Sequence, residues 1–336
     1  MPTHTMRAVR LHEHGGPEVL RYEDAPVPEP GPGEVLVRVH AAGVNPPDWY
    51  LRGGLTTMPG EAESTVGLPA IPGTDVSGVV ESVAADVEDF SVGDEVFGLL
   101  RFPSFDGSGY AQYVAAPASD LAHKPAGLDH VHAAGTPMSG LTAWQFLIDL
   151  GHDHPSPFQG TLHRPTALDA NTTVLVNGAA GGVGHFAVQL AKWKGARVIA
   201  VASGAHEEFL RELGVDQFID YTKSRPEEIV RDVDLVLDTV GGPESARFLR
   251  TLKRGGSQFP VLPGEFNEEG IAKLGVTVSS AQVRSNGAQL AELGRLLAAG
   301  TVRVAIDSTF PLADARAAHE RAARGHIRGK IVLTVA

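Results

Sequence analysis

Apolar and polar side chains alternate strictly along Glu34-Val-Leu-Val-Arg-Val-His40, the pattern of a strand with one buried face. Similar short runs cover 76–83, 95–100 and 110–115, and Gly93-Asp94 marks a turn between the first two. Leu20-Arg-Tyr-Glu23 reads as a further strand, closed by a proline-rich connector at 26–33. Many short strands punctuated by glycine and proline predict a barrel-like β domain over residues 1–125.

The periodicity changes after Pro125. Residues 133–150 repeat at helical spacing. From 173 onward, strand-like runs at 174–176, 197–201, 217–220, 234–238 and 257–262 are separated by helix-length segments, the first being 185–194. That alternation predicts βαβ units and a parallel sheet. Runs at 301–306 and 330–335 return to strand character and are expected to rejoin the first domain. The α/β region would then be an insertion at 126–299, between a first domain formed by 1–125 and 300–336. The segment HDHPSPFQGTLHRP (152–165) follows neither period and reads as an irregular surface loop, or as a lid. Its His152, His154 and His163 lack the defined spacing of a metal site.

Composition narrows the function classes. The chain has 336 residues, 43% hydrophobic and 20% charged, which suits two soluble globular domains. No apolar run approaches the roughly 18 residues of a membrane helix, and the N-terminus lacks an apolar signal core. A cytoplasmic protein without a membrane partner is expected. The net charge of −12 argues against nucleic acid. The absence of cysteine excludes disulfides and thiolate metal sites.

The strand-like triplet Val174-Leu-Val176 runs into Ala179-Ala180-Gly181-Gly182-Val183-Gly184, and an amphipathic helix follows. In the Rossmann fingerprint three glycines make the tight turn, admit a pyrophosphate, and let helix pack on strand. Here those positions are Ala179, Gly181 and Gly184, so the first is alanine. The βαβ frame nevertheless predicts backbone amides and a helix N-terminus facing an anion, hence a dinucleotide. NAD sites usually place an acid about 20 residues past the loop. Position 203, which is 203 − 184 = 19 residues on, is serine, and 200–206 hold no acid. Ser203, with His206 and Tyr221, would accept a 2′-phosphate, so the expected cofactor is NADPH. His206 has a plainer reading as a solvated first-turn residue.

Several blocks together resemble one family: residues 15–54, IPGTDVSGVVESV (71–83), VGDEVFGL (92–99), GLTAW (140–144), the glycine loop, and GHIRGKIVL (325–333). They are similar to the zinc-independent, zeta-crystallin-like quinone oxidoreductase branch of the medium-chain dehydrogenase/reductase superfamily. The resemblance spans nearly the whole chain except 55–68 and 152–165, where such a family would vary its pocket. It implies an α/β protein with a GroES-like β-barrel domain and an inserted Rossmann domain with a doubly wound parallel sheet. It also implies homodimers or tetramers. Zinc-dependent relatives place a cysteine just after the strand ending at His40, and a His-Glu pair where this chain has Gly73-Thr74-Asp75.

The resemblance implies roles for Asn45, near the nicotinamide ribose, and for Tyr50, at the substrate; these are the catalytic candidates. Asn45 also reads as a cap before Pro46-Pro47, Tyr50 as plain wall, and Trp49 and Asp48 as structural. Thr142 and Lys330 match family positions near the cofactor, against plainer readings as a helix threonine bonded to its own backbone and a solvated lysine. Val240, Gly241 and Val261 follow strand C-termini, where ligands of open α/β sheets bind. Without a metal, charge developing on a carbonyl oxygen must be met by hydrogen-bond donors or water. The expected reaction is NADPH-dependent reduction of a quinone or an α,β-unsaturated carbonyl compound. The rivals are an enoyl-thioester reductase, which would want a basic patch for a carrier or coenzyme A with Arg52, Arg101 and the 152–165 loop as the first places to look, a non-catalytic NADPH-binding protein, and a zinc alcohol dehydrogenase.

Overall fold

The computed structural model describes residues 5–54, 66–157 and 159–335. Most of the variable segment 55–68 and Phe158 of the 152–165 loop lie outside the described residues. The contacts divide the chain into residues 1–141 with 283–336, and residues 142–282. By contacts the first unit thus continues past 125, to 141, and resumes at 283. Helix His130–Ala134 packs on strands of the first unit, and so does helix Gly287–Ala298, which keeps 126–141 and 283–299 with that unit.

In chain order the first strands are β1 (Thr5–Leu11), β2 (Leu20–Pro26), β3 (Glu34–Val44), β4 (Asp75–Val83), β5 (Glu95–Leu99), β6 (Tyr113–Pro117) and β7 (Leu121–His123). The second unit contributes β8 (Thr173–Asn177), β9 (Arg197–Ala202), β10 (Gln217–Asp220), β11 (Val233–Asp238), β12 (Leu252–Pro260) and β13 (Thr277–Val278). The chain then returns to the first unit as β14 (Ile306–Pro311) and β15 (Lys330–Thr334).

The first unit holds a seven-stranded sheet, ordered β14-β15-β3-β4-β5-β7 with β6 also on β3, and a separate β1-β2 ribbon. Among the described residues, only β14 and β15 pair in parallel; the other pairs are antiparallel. Val35, Val37, Val39, Val76, Val80, Val96 and Leu333 fill its core. Strand β3 runs four residues beyond the expected His40, because Ala41 to Val44 are all buried. Burial on both faces erases the two-residue alternation that marks a strand. The strand expected at 110–115 begins only at Tyr113, and Tyr110 is instead a fully buried ring. The strand expected at 301–306 is a loop up to Ile306; Val302 and Val304 alternate because they pack, not because they pair. The single helix expected at 133–150 is two, His130–Ala134 and Pro137–Leu147, because Pro137 cannot continue the first.

The second unit is a six-stranded parallel sheet ordered β10-β9-β8-β11-β12-β13. Successive strands β8, β9 and β10 step one way, and β11, β12 and β13 step the other. The order therefore reverses between β8 and β11, where such sheets open a crevice. Leu175, Ile199, Val201, Ile219, Val236 and Phe248 form its core. Among the described residues, no helix is long and apolar enough to cross a membrane.

Candidate functional site

In the second unit, β8 ends at Asn177 and the chain turns through Gly178 into helix Gly182–Trp193. Gly178 has φ +74°, and a Cβ there would lie 2.4 Å from Thr239 Oγ1. The left-handed turn thus sits one residue ahead of the six-residue motif, which leaves position 179 free to be alanine. Ala179 and Ala180 are buried in ordinary conformations. Gly184 packs the helix on the loop: a Cβ would come 2.2 Å from Gly178 O and 2.7 Å from Ala179 Cα. Gly181 is different, since its Cβ would meet only Gly178 O, at 3.3 Å, with open space elsewhere.

The helix begins at Gly182, three residues earlier than expected, and no side chain caps it. The amides of Gly182, Val183 and Gly184 have no carbonyl within the helix to bond. They are the group that receives an anion at such a terminus. This terminus stands where the strand order reverses, so the residues present fit a dinucleotide pyrophosphate.

Beside it, Asn177 Nδ2 donates to Asp238 Oδ1 (2.8 Å), joining the ends of β8 and β11. Asp238 is fully buried and also accepts from Val240 N (3.0 Å), Gly241 N (3.1 Å) and the Ser245 hydroxyl. Val261 N donates to the Asp238 carbonyl (2.9 Å). Backbone groups of Val240, Gly241 and Val261 are expected to meet the nicotinamide end; their amides are engaged by Asp238, and the Val240 side chain is exposed. Thr142 is buried on helix Pro137–Leu147.

Ser203 follows β9 and opens a short turn in which His206 N donates to Ser203 O (3.0 Å). Tyr221 follows β10, its amide donates to Ala202 O (3.2 Å), and its ring is exposed. The structure thus brings Ser203, His206 and Tyr221 to one edge. It adds two residues that sequence spacing did not find. Asp220, paired in register with Ala202, lies so close that a Cβ on Gly204 would meet its Oδ2 at 2.5 Å. Lys223 Nζ is 3.2 Å from the same oxygen. The window 200–206 holds no acid, but the neighbouring strand delivers one beside it.

In the first unit, Asn45 is the N-cap of helix Pro46–Arg52, with extended backbone before two prolines. Its plainer reading as a cap holds in part, since Asn45 N–H donates to Asp48 Oδ2 (2.8 Å). Its side chain does more. Nδ2 donates to Asp75 Oδ2 (2.9 Å), and Oδ1 accepts from Lys330 Nζ. Lys330 is not solvated: it is 3% exposed, donates to Val44 O (3.1 Å) and stands 3.9 Å from Asp75 Oδ2. Lys330 thus holds Asn45 in place rather than facing solvent. Asp75 Oδ1 also accepts from Met138 N (2.8 Å), so one carboxylate holds both Asn45 and the start of the helix that carries Thr142.

A second chain of bonds runs from Asp48. Its Oδ2 accepts from Tyr110 OH (2.9 Å), which lies 3.3 Å from His319 Nε2, and Arg52 Nη1 is 2.9 Å from His319 Nδ1. Asp48 Oδ1 is buried with no partner among the described residues. Burial pushes the Asp48 carboxyl up to about 7 and the Asp75 carboxyl up to about 6. Burial, then the Arg52 charge, pulls His319 down to about 3, so it is neutral at physiological pH. Burial also lowers Lys330 and raises the half-buried Tyr50, whose phenol stays a proton donor. Trp49 packs against the core, in agreement with its structural reading.

The basic patch expected for a thioester carrier is not assembled. Arg52 is half-buried on Gly15 O (3.1 Å) and His319, and Arg101 pairs with Glu34. The described residues of the 152–165 loop lack regular structure, yet His163 is buried between Ser279 Oγ (2.8 Å) and Phe146 O (2.9 Å). It is a satisfied core histidine.

Comparison with known proteins agrees with this geometry. Residues 31–126 match the model of the alcohol dehydrogenase GroES-like domain, and 213–333 match a zinc-binding dehydrogenase model. The chain is 33% identical to the mitochondrial NAD(P)H oxidoreductase RTN4IP1 of Mus musculus, over 98% of this chain and 89% of that one. It is 32% identical to the chloroplastic NADPH-dependent alkenal/one oxidoreductase of Arabidopsis thaliana, over 98% and 79%. A solved quinone oxidoreductase from Coxiella burnetii superposes with a TM-score of 0.83 at 32% identity, covering 99% of this chain and 100% of that one. The donor set here does not fit the zinc of the second family model's name. There is no cysteine, Asp75 is taken by Asn45 and the Lys330 ammonium, and no three His, Asp or Glu gather among the described residues. With its GroES-like domain, its parallel-sheet nucleotide domain and these near-full-length relatives, the chain belongs to the medium-chain dehydrogenase/reductase superfamily, among its NAD(P)H oxidoreductases.

Proposed function

We propose that this protein is an NADPH-dependent reductase that delivers hydride to a quinone or an α,β-unsaturated carbonyl compound without a metal. One observation carries the reading: an uncapped helix N-terminus, shaped by Gly178 and Gly184, stands at the reversal point of a parallel sheet. Bound NADPH would supply the hydride, and the protein supplies orientation and dipoles. Asn45 orients its amide through Asp75 and Lys330 and keeps one N–H for the ribose. Tyr50, kept protonated by burial, donates to the substrate oxygen as charge develops there. The Lys330 ammonium stands beside the one carboxylate in the segment where zinc-dependent relatives carry ligands, which favours metal-free chemistry. The names of the relatives include both quinone and alkenal/one acceptors, and both acceptors are electron-poor at carbon. A homodimer or tetramer in a reducing compartment such as the cytoplasm completes the reading.

The test is anaerobic turnover of NADPH against a panel of quinones and enones, with elemental analysis of the same sample. Turnover by the zinc-free protein is expected. Tyr50→Phe should lower kcat by about a hundredfold or more, the scale of one lost oxyanion donor. Failure of every acceptor to oxidise NADPH, or stoichiometric zinc, would sink it.

A further inference from the structure

We propose that Asp220 and Lys223 together read the 2′ position of the cofactor ribose, with Lys223 the cation that selects a 2′-phosphate. The inference rests on the dinucleotide reading above and adds two residues to it. The edge in question is where this fold meets the adenosine ribose, just past the second strand of the unit. Here that is the end of β9, at Ser203 and Gly204. The adjacent turn of β10 is bound to it by Tyr221 N to Ala202 O (3.2 Å).

The two members of the pair are held very differently. Asp220 is pinned: Oδ1 accepts from Thr222 N (3.0 Å) and from Thr222 Oγ1 (2.7 Å), and the side chain is 12% exposed. The carboxylate lies flat against Gly204, where any larger residue would meet it at 2.5 Å. Those Thr222 hydrogen bonds, above all the one from its hydroxyl, keep the carboxyl below its usual range, so it is charged at neutral pH. The Lys223 side chain is 78% exposed and meets the carboxylate through Nζ, 3.2 Å from Oδ2. A surface pair of this kind holds weakly. The lysine stem is free to turn toward a ligand while the aspartate stays.

Two opposite preferences follow from one pair. A ribose 2′-hydroxyl can donate to Asp220, as in sites that take NAD. A 2′-phosphate is repelled by Asp220 and attracted by Lys223, and the ammonium is the group that decides in its favour. The chain therefore favours the 2′-phosphate by a narrow margin, and a single charge change should remove or enlarge that preference.

The subsite can be measured apart from any reaction. The unaltered protein and its variants are titrated calorimetrically with adenosine 2′,5′-bisphosphate and with AMP, then with NADPH and NADH. In Lys223→Ala, binding of the bisphosphate should weaken about tenfold while AMP binding holds, and Lys223→Glu should widen the difference. Asp220→Asn should tighten the bisphosphate severalfold. Added salt should erase the bisphosphate preference of the unaltered protein and leave Lys223→Ala unchanged. An unchanged bisphosphate-to-AMP ratio in Lys223→Ala overturns the inference while the dinucleotide reading stands. If the unaltered protein binds neither nucleotide, the dinucleotide reading falls, and the inference falls with it.

Discussion

Replacing Asp48 by asparagine should stabilise this protein, and more so at high pH. Asp48 is 1% exposed, and its carboxyl is pushed up to about 7 by burial. In the unfolded chain it titrates at about 3.9. Between those values the folded state holds the proton and the unfolded state does not, so stability falls as pH rises. The loss is about 1.4 kcal/mol per pH unit across the window and levels off near 4 kcal/mol above pH 8. Asparagine has the shape of the protonated acid and never ionises. Its oxygen can take over the bonds from Asn45 N–H and Tyr110 OH, while its NH2 meets the same unpartnered place as Oδ1. His319 titrates in the opposite sense, because a buried neutral imidazole must be charged as pH falls. Only the difference between variant and parent isolates Asp48. That difference should grow in favour of Asp48→Asn by about 2.5 kcal/mol from pH 5 to pH 8. Urea melts at the two pH values measure it, and a thermal melt should move by roughly 5 °C or more. Parallel pH profiles for parent and variant would refute the reasoning.

The same network and the glycine turn yield two further expectations. Lys330→Met leaves Asp75 buried without its cation, and should cost about 3 kcal/mol at pH 8. Less should be lost at pH 5, where Asp75 (near 6 in the parent) is protonated, and adding Asp75→Asn should restore most of it; denaturant titration at both pH values reads this out. Gly184→Ala drives a Cβ into Gly178 O and Ala179 Cα, both backbone positions, and should cost about 2–3 kcal/mol together with nucleotide binding. Gly181→Ala, whose Cβ meets Gly178 O at 3.3 Å, should cost less stability than Gly184→Ala while losing binding, so melting and AMP titration on the pair separate packing from ligand contact.

Legibility in the sequence followed the range of the interactions. The parallel sheet and the glycine loop were readable because their signals are local: strand periods, helix lengths and a motif within ten residues. Gly178 was hidden beside a motif that appeared to lack its first glycine. Asp75 was readable only as a missing zinc ligand, because its partners Asn45 and Lys330 lie 30 and 255 residues away. Asp220 and Lys223 were missed for a similar reason, since pairing of β10 with β9 brings them to Ser203. Strand β3 was cut short where burial on both faces removed its alternation.

Strand β15 lies between β14 and β3, inside the sheet of the first unit. Synthesis reaches it only after all of residues 142–282. Until then β3 presents an unpaired edge of buried-type residues, Ala41 to Val44, to the cell. Such an edge invites pairing with other chains. The second unit, made continuously and closed on itself, can fold meanwhile. The last strand also delivers Lys330, so the ionic lock on Asn45 closes only when the sheet does. Completing the first sheet and completing the hold on Asn45 are thereby the same event: until β15 pairs, Asn45 has its Asp75 bond but lacks its Lys330 bond.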